Sequence, residues 1–254
     1  IKHFADTTKI PTYTMIIPSA ASIQSYKLPK FATPIDEKKI ISDINNNLNN
    51  SISVYNTLYE NKDKYIYYRT DHHWTTYGSY LAYVEYCKAL NLTPIKYSAK
   101  KLTENFNGTL FSSSGVRFVD SDTIEAYYSE NFNGCEVFDG VKTTSYDSIY
   151  FNDFLNQKDK YAFFLGQNQP LVRIFGKNNT GKKLIIFKDS YAHCMAPMLL
   201  EHYDEIALID LRYIMTDDLN KIVNINDYND ALFLYSLDTF STQSNVGNLK
   251  YIVK

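Results

Sequence analysis

Nowhere in the 254 residues does an apolar run approach the roughly 20 positions that a helix needs to cross a bilayer, so the sequence offers no candidate membrane span. Cysteine is scarce. Cys87, Cys135 and Cys194 form neither a disulfide framework nor a Cys-x-x-Cys metal pattern, and they leave the redox compartment open. Positive charge is not in excess either: 26 Lys and Arg against 28 Asp and Glu give a net charge of -2, so nucleic acid is not an expected partner. Internal repeats, low-complexity tails and charge blocks are absent. The chain opens on Ile1-Lys2-His3-Phe4 with neither an initiator methionine nor a signal sequence. The expectation is a mature fragment, with removal of a targeting or anchoring segment left open.

What the chain has in abundance is length and tyrosine. At 254 residues it is long enough to bury a substantial core, and one domain spanning residues 1–254 is expected rather than two small ones. Its 23 tyrosines are accounted for by ordinary packing, with a sugar-lined groove as the alternative.

Patterning predicts alternating strands and helices. Tyr13 to Ile17 is a short β-rich run stopped by Pro18. Across Ile35 to Tyr59 the residues Ile40, Ile41, Ile44, Leu48, Ile52, Tyr55 and Tyr59 recur at three- and four-residue intervals, which predicts one helix with an Asn-rich polar face. A strand over Tyr65 to Arg69, an Asp71-His72-His73-Trp74 loop and a helix from Thr76 to Leu90 follow. At about residues 102–150 short alternating pieces separated by Gly and Asn predict a small β-rich insertion or lid. Apolar runs at Lys183 to Phe187, Ile206 to Asp210 and Ala231 to Tyr235 then alternate with helical stretches at Tyr191 to His202 and Asp217 to Val223. Buried strands alternating with helices predict an α/β/α sandwich around a mostly parallel sheet, in a chain whose weak linker candidates, Ser112 to Gly115 and Gly176 to Gly181, read as loops. Ligands in such folds bind beyond the carboxyl ends of the strands.

Ser190 lies there, three residues past Phe187 in Lys188-Asp189-Ser190-Tyr191. A serine hydroxyl is a poor nucleophile until an imidazole takes its proton, and the imidazole needs a carboxylate to fix its tautomer. Asp71 and His73 supply both. Two positions apart at the end of an extended segment, their side chains point the same way roughly 7 Å apart, whereas His72 faces the other side. The alternative is that both histidines only pack and cap the loop. Trp74 is expected to be a packing anchor, with stacking on a sugar as the second reading. The serine turn lacks the glycines of Gly-x-Ser-x-Gly, which argues against an ordinary α/β-hydrolase elbow.

An Asp-Ser at a strand end with a separate Asp-x-His instead resembles the SGNH hydrolase superfamily. More closely, Arg69-Thr70-Asp71-His72-His73-Trp74-Thr75, Phe106-Asn107-Gly108-Thr109-Leu110-Phe111, Lys188-Asp189-Ser190-Tyr191-Ala192 and Ile209-Asp210-Leu211-Arg212-Tyr213 resemble the DHHW family, which belongs with the bacterial alginate O-acetyltransferase-like proteins. The similarity runs over about residues 10 to 240. In those proteins the Asp-x-His block precedes the serine, a permuted order that this chain shares. The resemblance implies an SGNH-like fold and catalytic Ser190, His73 and Asp71. It also implies acetyl transfer to an extracytoplasmic polysaccharide in the cell envelope, without a cofactor. The partner it implies is a membrane-bound O-acyltransferase that delivers the acetyl groups.

The departure from that pattern concerns the oxyanion hole. The SGNH glycine and asparagine blocks are not recognisable, and position 193, where a small polar residue is expected, is histidine. The Ser190 N–H at a helix N-terminus is one candidate donor. Gly108, through a closely approaching N–H, and Asn168, through its amide, are others, each with a plain turn role as the alternative. Arg212 is a substrate-contact candidate or a surface ion pair. A metal site drawn from Asp71, His72, His73, Asp189, His193 and His202 is a rival reading, as are an esterase with the same triad and a non-catalytic polysaccharide-binding protein. For a transferase, the sugar acceptor is expected in a crevice walled by the 102–150 insertion.

Overall fold

The structure, a computed structural model, describes residues 1–251. Nine strands are found among them: β1 Thr12–Ile17, β2 Lys100–Phe106, β3 Asp122–Ala126, β4 Phe132–Phe138, β5 Thr143–Tyr146, β6 Leu171–Gly176, β7 Lys183–Lys188, β8 Glu205–Ile209 and β9 Asp230–Ser236. Seven form the central sheet in the order β1-β9-β7-β8-β6-β4-β5. The four strands from β1 to β8 run parallel, and β6, β4 and β5 continue the sheet antiparallel.

The parallel strands are near-continuous apolar runs because both faces are covered. Leu184 and Ile186 of β7, Ile206 and Leu208 of β8, and Leu232 and Leu234 of β9 join one core with Trp74, Tyr83 and Met195. The alternate residues Ile185, Phe187, Ala207, Ile209, Ala231 and Phe233 join the other with Phe4, Ile41 and Leu219. Phe4 packs edge-on against Phe187 at 5.3 Å and Phe233 at 5.4 Å between ring centroids. Fully burying one such side chain stabilises by roughly 1.5–3 kcal/mol. Among the described residues no helix is long and apolar enough to cross a membrane.

Three sequence expectations are corrected. The predicted helix over Ile35 to Tyr59 is two, Glu37–Asn47 and Tyr55–Glu60. Asn50 between them is left-handed with φ 53°, a conformation that Asn tolerates. The break lets Ile52 N–H donate to Thr14 O at 2.8 Å, seating the segment beside β1. The predicted strand Tyr65 to Arg69 is a tight loop with one bridge, Tyr67 to Trp74, closed by Thr75 N–H to Ile66 O at 2.9 Å. The β-rich stretch is divided: β4 and β5 extend the central sheet, and only β2 and β3 stand apart as a pair. Strand β6, unforeseen, joins β4 to β8.

The helix Thr76–Ala89 starts as expected, Thr75 Oγ1 accepting from Gly78 N–H at 3.2 Å. A Cβ at Gly78 would lie 2.2 Å from Ile66 O, so glycine there is what lets the helix press on the Tyr65–Thr75 loop. This fixes that loop over the carboxyl end of β7.

Candidate active site

The serine turn is built on a buried carboxylate. Past β7, Asp189 Oδ1 accepts from Tyr191 N–H at 2.9 Å, while Oδ2 accepts from Ser236 N–H at 2.8 Å and Ser236 Oγ at 2.7 Å. The turn is thereby tied to the end of β9 and leads directly into the helix Ala192–Leu199. Ser190 Oγ is left at the mouth of a pocket. The Ser190 N–H meets no acceptor among the described residues. It belongs to the unsatisfied donors at a helix start, where negative charge is favoured.

The opposing loop hangs on Asp122, which is fully buried. Its carboxylate accepts from Thr70 N–H at 2.7 Å, Thr70 Oγ1 at 2.6 Å, Arg69 N–H at 3.0 Å and Tyr65 OH at 2.6 Å. Trp74 Nε1–H donates to Tyr191 O at 3.0 Å, and Tyr191 OH donates to His72 O, so the two loops are joined.

Between them runs a continuous hydrogen-bonded line. His73 Nε2 lies 2.7 Å from Ser190 Oγ, and His73 Nδ1 lies 2.6 Å from Asp71 Oδ1. Asp71 Oδ1 also accepts from the His73 N–H at 3.0 Å. The pairing therefore comes from a turn in which Asp71 folds over its own backbone, not from the strand-end alternation expected from sequence. Asp71 Oδ2 accepts from Thr109 N–H at 2.9 Å and Thr109 Oγ1 at 3.1 Å. Burial pushes the Asp71 carboxyl up, but hydrogen bonding and charge from His73, then His72 and the Thr109 N–H, outweigh it and hold the group below the usual carboxylate range. An ionised Asp71 requires the proton on Nδ1, which leaves the Nε2 lone pair to accept from the serine. His72 sits outside this line, with Nδ1 2.7 Å from Thr109 Oγ1. Partial burial, then the neighbouring His73, push it down to about 4.

The pocket has a volume of about 630 Å³ and brings Asp71, His73, Ser190, Gly108, Asn168 and Arg212 to one lining. Its walls differ from expectation. Residues 106–113 supply one side, as the insertion reading required, but residues 158–168, of which sequence singled out Asn168 alone, supply another. Gly108 contributes space: its N–H donates to Thr70 Oγ1 at 3.1 Å, and a Cβ there would lie 2.3 Å from Asp71. That correction removes its N–H from the candidate oxyanion donors. Asn168 lines the pocket with its Oδ1 buried and unpartnered. Arg212 makes an ion pair, its Nε and Nη2 donating to Asp210 at 2.8 and 2.6 Å, and it also lines the pocket.

His193 is spent internally. Its Nδ1 lies 3.1 Å from Phe164 O and its Nε2 2.8 Å from Lys188 Nζ, so in the tautomer these partners select it has no N–H for a ligand. Burial, then the Lys188 charge, push its imidazole well down. Lys188 is fully buried, also 3.4 Å from Asp210, and burial lowers its ammonium. Of the six residues of the metal reading, Asp71, His72 and His73 have ligand atoms within 4.8 Å of one another. Asp189 serves the serine turn, and His202 lies elsewhere, 2.9 Å from Tyr83 OH. Sequence reasoning passed over Asp122, Lys188 and Tyr161. Tyr161 stacks on the His73 ring at 3.8 Å between centroids and 10° between planes.

The family model described as DHHW protein matches residues 5–209. A DHHW family protein from Eubacterium siraeum, 27% identical, superposes with a TM-score of 0.82 over 98% of this chain and 85% of that one. Bacillus cereus PatB1, solved with a sulfonyl adduct, is 17% identical with a TM-score of 0.79, covering 99% and 87%. The O-acetyltransferase domain of Pseudomonas putida AlgJ is 13% identical with a TM-score of 0.54, covering 98% and 87%. At these identities the last two likenesses speak to the fold, an SGNH-like α/β arrangement. No curated protein matches the sequence at a significant level.

Proposed function

This chain belongs to the DHHW protein family, and from that premise we propose that it is a serine-dependent O-acyltransferase that carries an acetyl group on Ser190 and passes it to a hydroxyl of an extracytoplasmic polysaccharide. The observation that carries the reading is the Asp71–His73–Ser190 line, with separations of 2.6 and 2.7 Å. The likeness in fold to the O-acetyltransferase domain of AlgJ supports the choice of group. A membrane-bound O-acyltransferase as the source of the acetyl group is part of the same proposal.

In the first half-reaction Ser190 Oγ attacks the acetyl carbonyl carbon of the donor while His73 Nε2 takes the hydroxyl proton. Asp71 stabilises the imidazolium, and the Ser190 N–H faces the carbonyl oxygen as it becomes an oxyanion. The donor's leaving group departs with the proton from Nε2, leaving acetyl-Ser190. In the second half-reaction His73 takes the proton of a sugar hydroxyl, whose oxygen attacks the acetyl carbon. Ser190 then departs and regains its proton. Transfer rather than hydrolysis requires the sugar to be held within about 3.5 Å of the acyl carbon, ahead of competing water.

The test is mass spectrometry after incubation with an activated acetyl ester, then with neutral and acidic glycan oligomers. A sulfonyl fluoride serves as a second label for the nucleophile. Acetyl and sulfonyl adducts on Ser190, absent from Ser190→Ala, with acetylated oligomers in the second stage, are expected. Labelling elsewhere would refute the nucleophile. Acetate release without any acetylated oligomer would make the protein an esterase.

A further inference from the structure

We propose that Tyr161 is a positioning residue for His73, clamping its imidazole in the plane that joins Asp71 to Ser190 and stabilising that ring when it carries the serine proton. The inference rests on the reading of His73 as the general base and deepens it.

Tyr161 lies on the short helix Lys160–Phe163 and is 5% exposed. Its ring is parallel to the imidazole, 3.8 Å between centroids and 10° between planes. The His72 ring lies 3.9 Å from the same imidazole at 36°. Both separations are too short for edge contact, and two rings do not fit over one face of an imidazole, so His73 is held between them. Tyr161 itself has little room to slide. Its hydroxyl donates to Ser190 O at 3.3 Å, and its ring meets Tyr68 edge-on at 6.3 Å and Phe164 at 5.5 Å.

The face of a tyrosine ring carries negative potential, so a cation stacked against it is attracted more strongly than the neutral form. His73 becomes such a cation twice in each turnover, each time it takes a proton from an attacking hydroxyl at Nε2. The other groups around it are the Asp71 carboxylate, the His72 imidazole and the hydroxyls of Ser190 and Tyr191. Further groups are Asp189 under the serine turn, His193 backed by Lys188, and the Arg212–Asp210 pair. His72, pushed down to about 4 by burial and by His73, is neutral in the working range, so it adds no repelling charge to the sandwich. Burial keeps the Tyr161 phenol protonated by pushing it well up.

The test compares Tyr161→Phe, Tyr161→Leu and a series of fluorinated phenylalanines at position 161, which keep the ring's shape while draining its face of charge. Two quantities are read: the NMR titration of the His73 ring in a Ser190→Ala background, and the acid limb of the acylation rate with Ser190 present. Tyr161→Phe should leave both close to wild type. Tyr161→Leu should move both toward lower pH by about one unit and slow acylation about tenfold. The fluorinated series should move them in proportion to fluorine number. A Leu variant whose titration is unmoved or moves to higher pH, or a flat fluorinated series, would overturn the proposal. If Leu prevents folding, the fluorinated series decides alone. The titration needs no turnover, so the two readings fail separately. Shifts as expected in a protein that never acylates Ser190 would sink the function, whereas acylation with an unmoved titration would sink the clamp.

Discussion

Replacing Gly108 by alanine should disable the site through the position of Asp71. Gly108 has φ -85° and ψ -156°, a backbone conformation open to any residue, so the cost is purely one of space. The added Cβ would lie 2.3 Å from both Asp71 Cβ and Oδ2, and 2.6 Å from Cγ. Contacts under 3.0 Å are essentially never made by real Cβ atoms, so something must retreat by most of an ångström. Asp71 has no slack, being held at 2.6 Å by His73 and at 2.9 Å by Thr109 N–H. The Gly108 segment is pinned in turn by its own N–H on Thr70 Oγ1 at 3.1 Å. Either the carboxylate leaves the imidazole or the Thr109 bonds to it break, and losing one hydrogen bond to a charged group costs about 1.5–3 kcal/mol. Misplacing a catalytic group by about 1 Å costs on the order of 10² in rate. The assay is the burst of nitrophenolate from p-nitrophenyl acetate, read alongside thermal melting. Acylation should fall about 10²-fold, with a stability loss of about 1–3 kcal/mol from overpacking. A folded Gly108→Ala protein with a wild-type burst would refute the view that this close approach sets the Asp71 position.

Two further outcomes follow from the Asp71 environment. Asp71→Asn should lower acylation by as much as about 10⁴-fold, as in serine proteases, because an amide N–H facing Nδ1 selects the wrong imidazole tautomer; a loss under tenfold in the folded variant would argue against the triad. Because the folded-state value of Asp71 lies below that of the unfolded chain, burial being outweighed by His73, its ionisation stabilises the fold above about pH 4. That contribution is lost as pH falls through the folded value, so the melting-temperature gap between wild type and Asp71→Asn should hold from pH 7 to pH 5 and shrink below pH 4. A gap unchanged at pH 2.5 would contradict an ionised Asp71.

The parallel centre of the sheet was legible because each strand there is buried on both faces, so runs such as Leu184-Ile185-Ile186-Phe187 are continuously apolar and separated by helix-length stretches. Strand β6 was not. Arg173 interrupts its apolar run to pair with Glu205 of the neighbouring strand β8 at 3.7 Å, and a charged centre weakens the strand pattern. The Asn-rich segment misled in the opposite direction. Its isoleucines keep helical spacing through Ile52, yet Asn50 turns left-handed and Ile52 packs beside β1, so tertiary pairing overrides periodicity.

At the candidate site the legible residues are those whose types announce chemistry: serine, histidine and an aspartate two positions away. The residues that hold them announce nothing. Asp122 and Lys188 look in sequence like solvated charges, and Tyr161 is one tyrosine among 23, yet all three are buried. Burying a charge is costly unless it is paired, so a buried Asp122 meeting five donors, the Arg69 Nε–H among them, marks a loop whose position is worth that cost. Ser190 and His73 lie 117 positions apart, and the same separation is bridged by Trp74 Nε1–H to Tyr191 O at 3.0 Å. That bond involves no group that takes up or releases a proton in the proposed reaction. The serine and the imidazole are therefore brought together by the scaffold, and their own hydrogen bond is free to break and re-form as the proton moves.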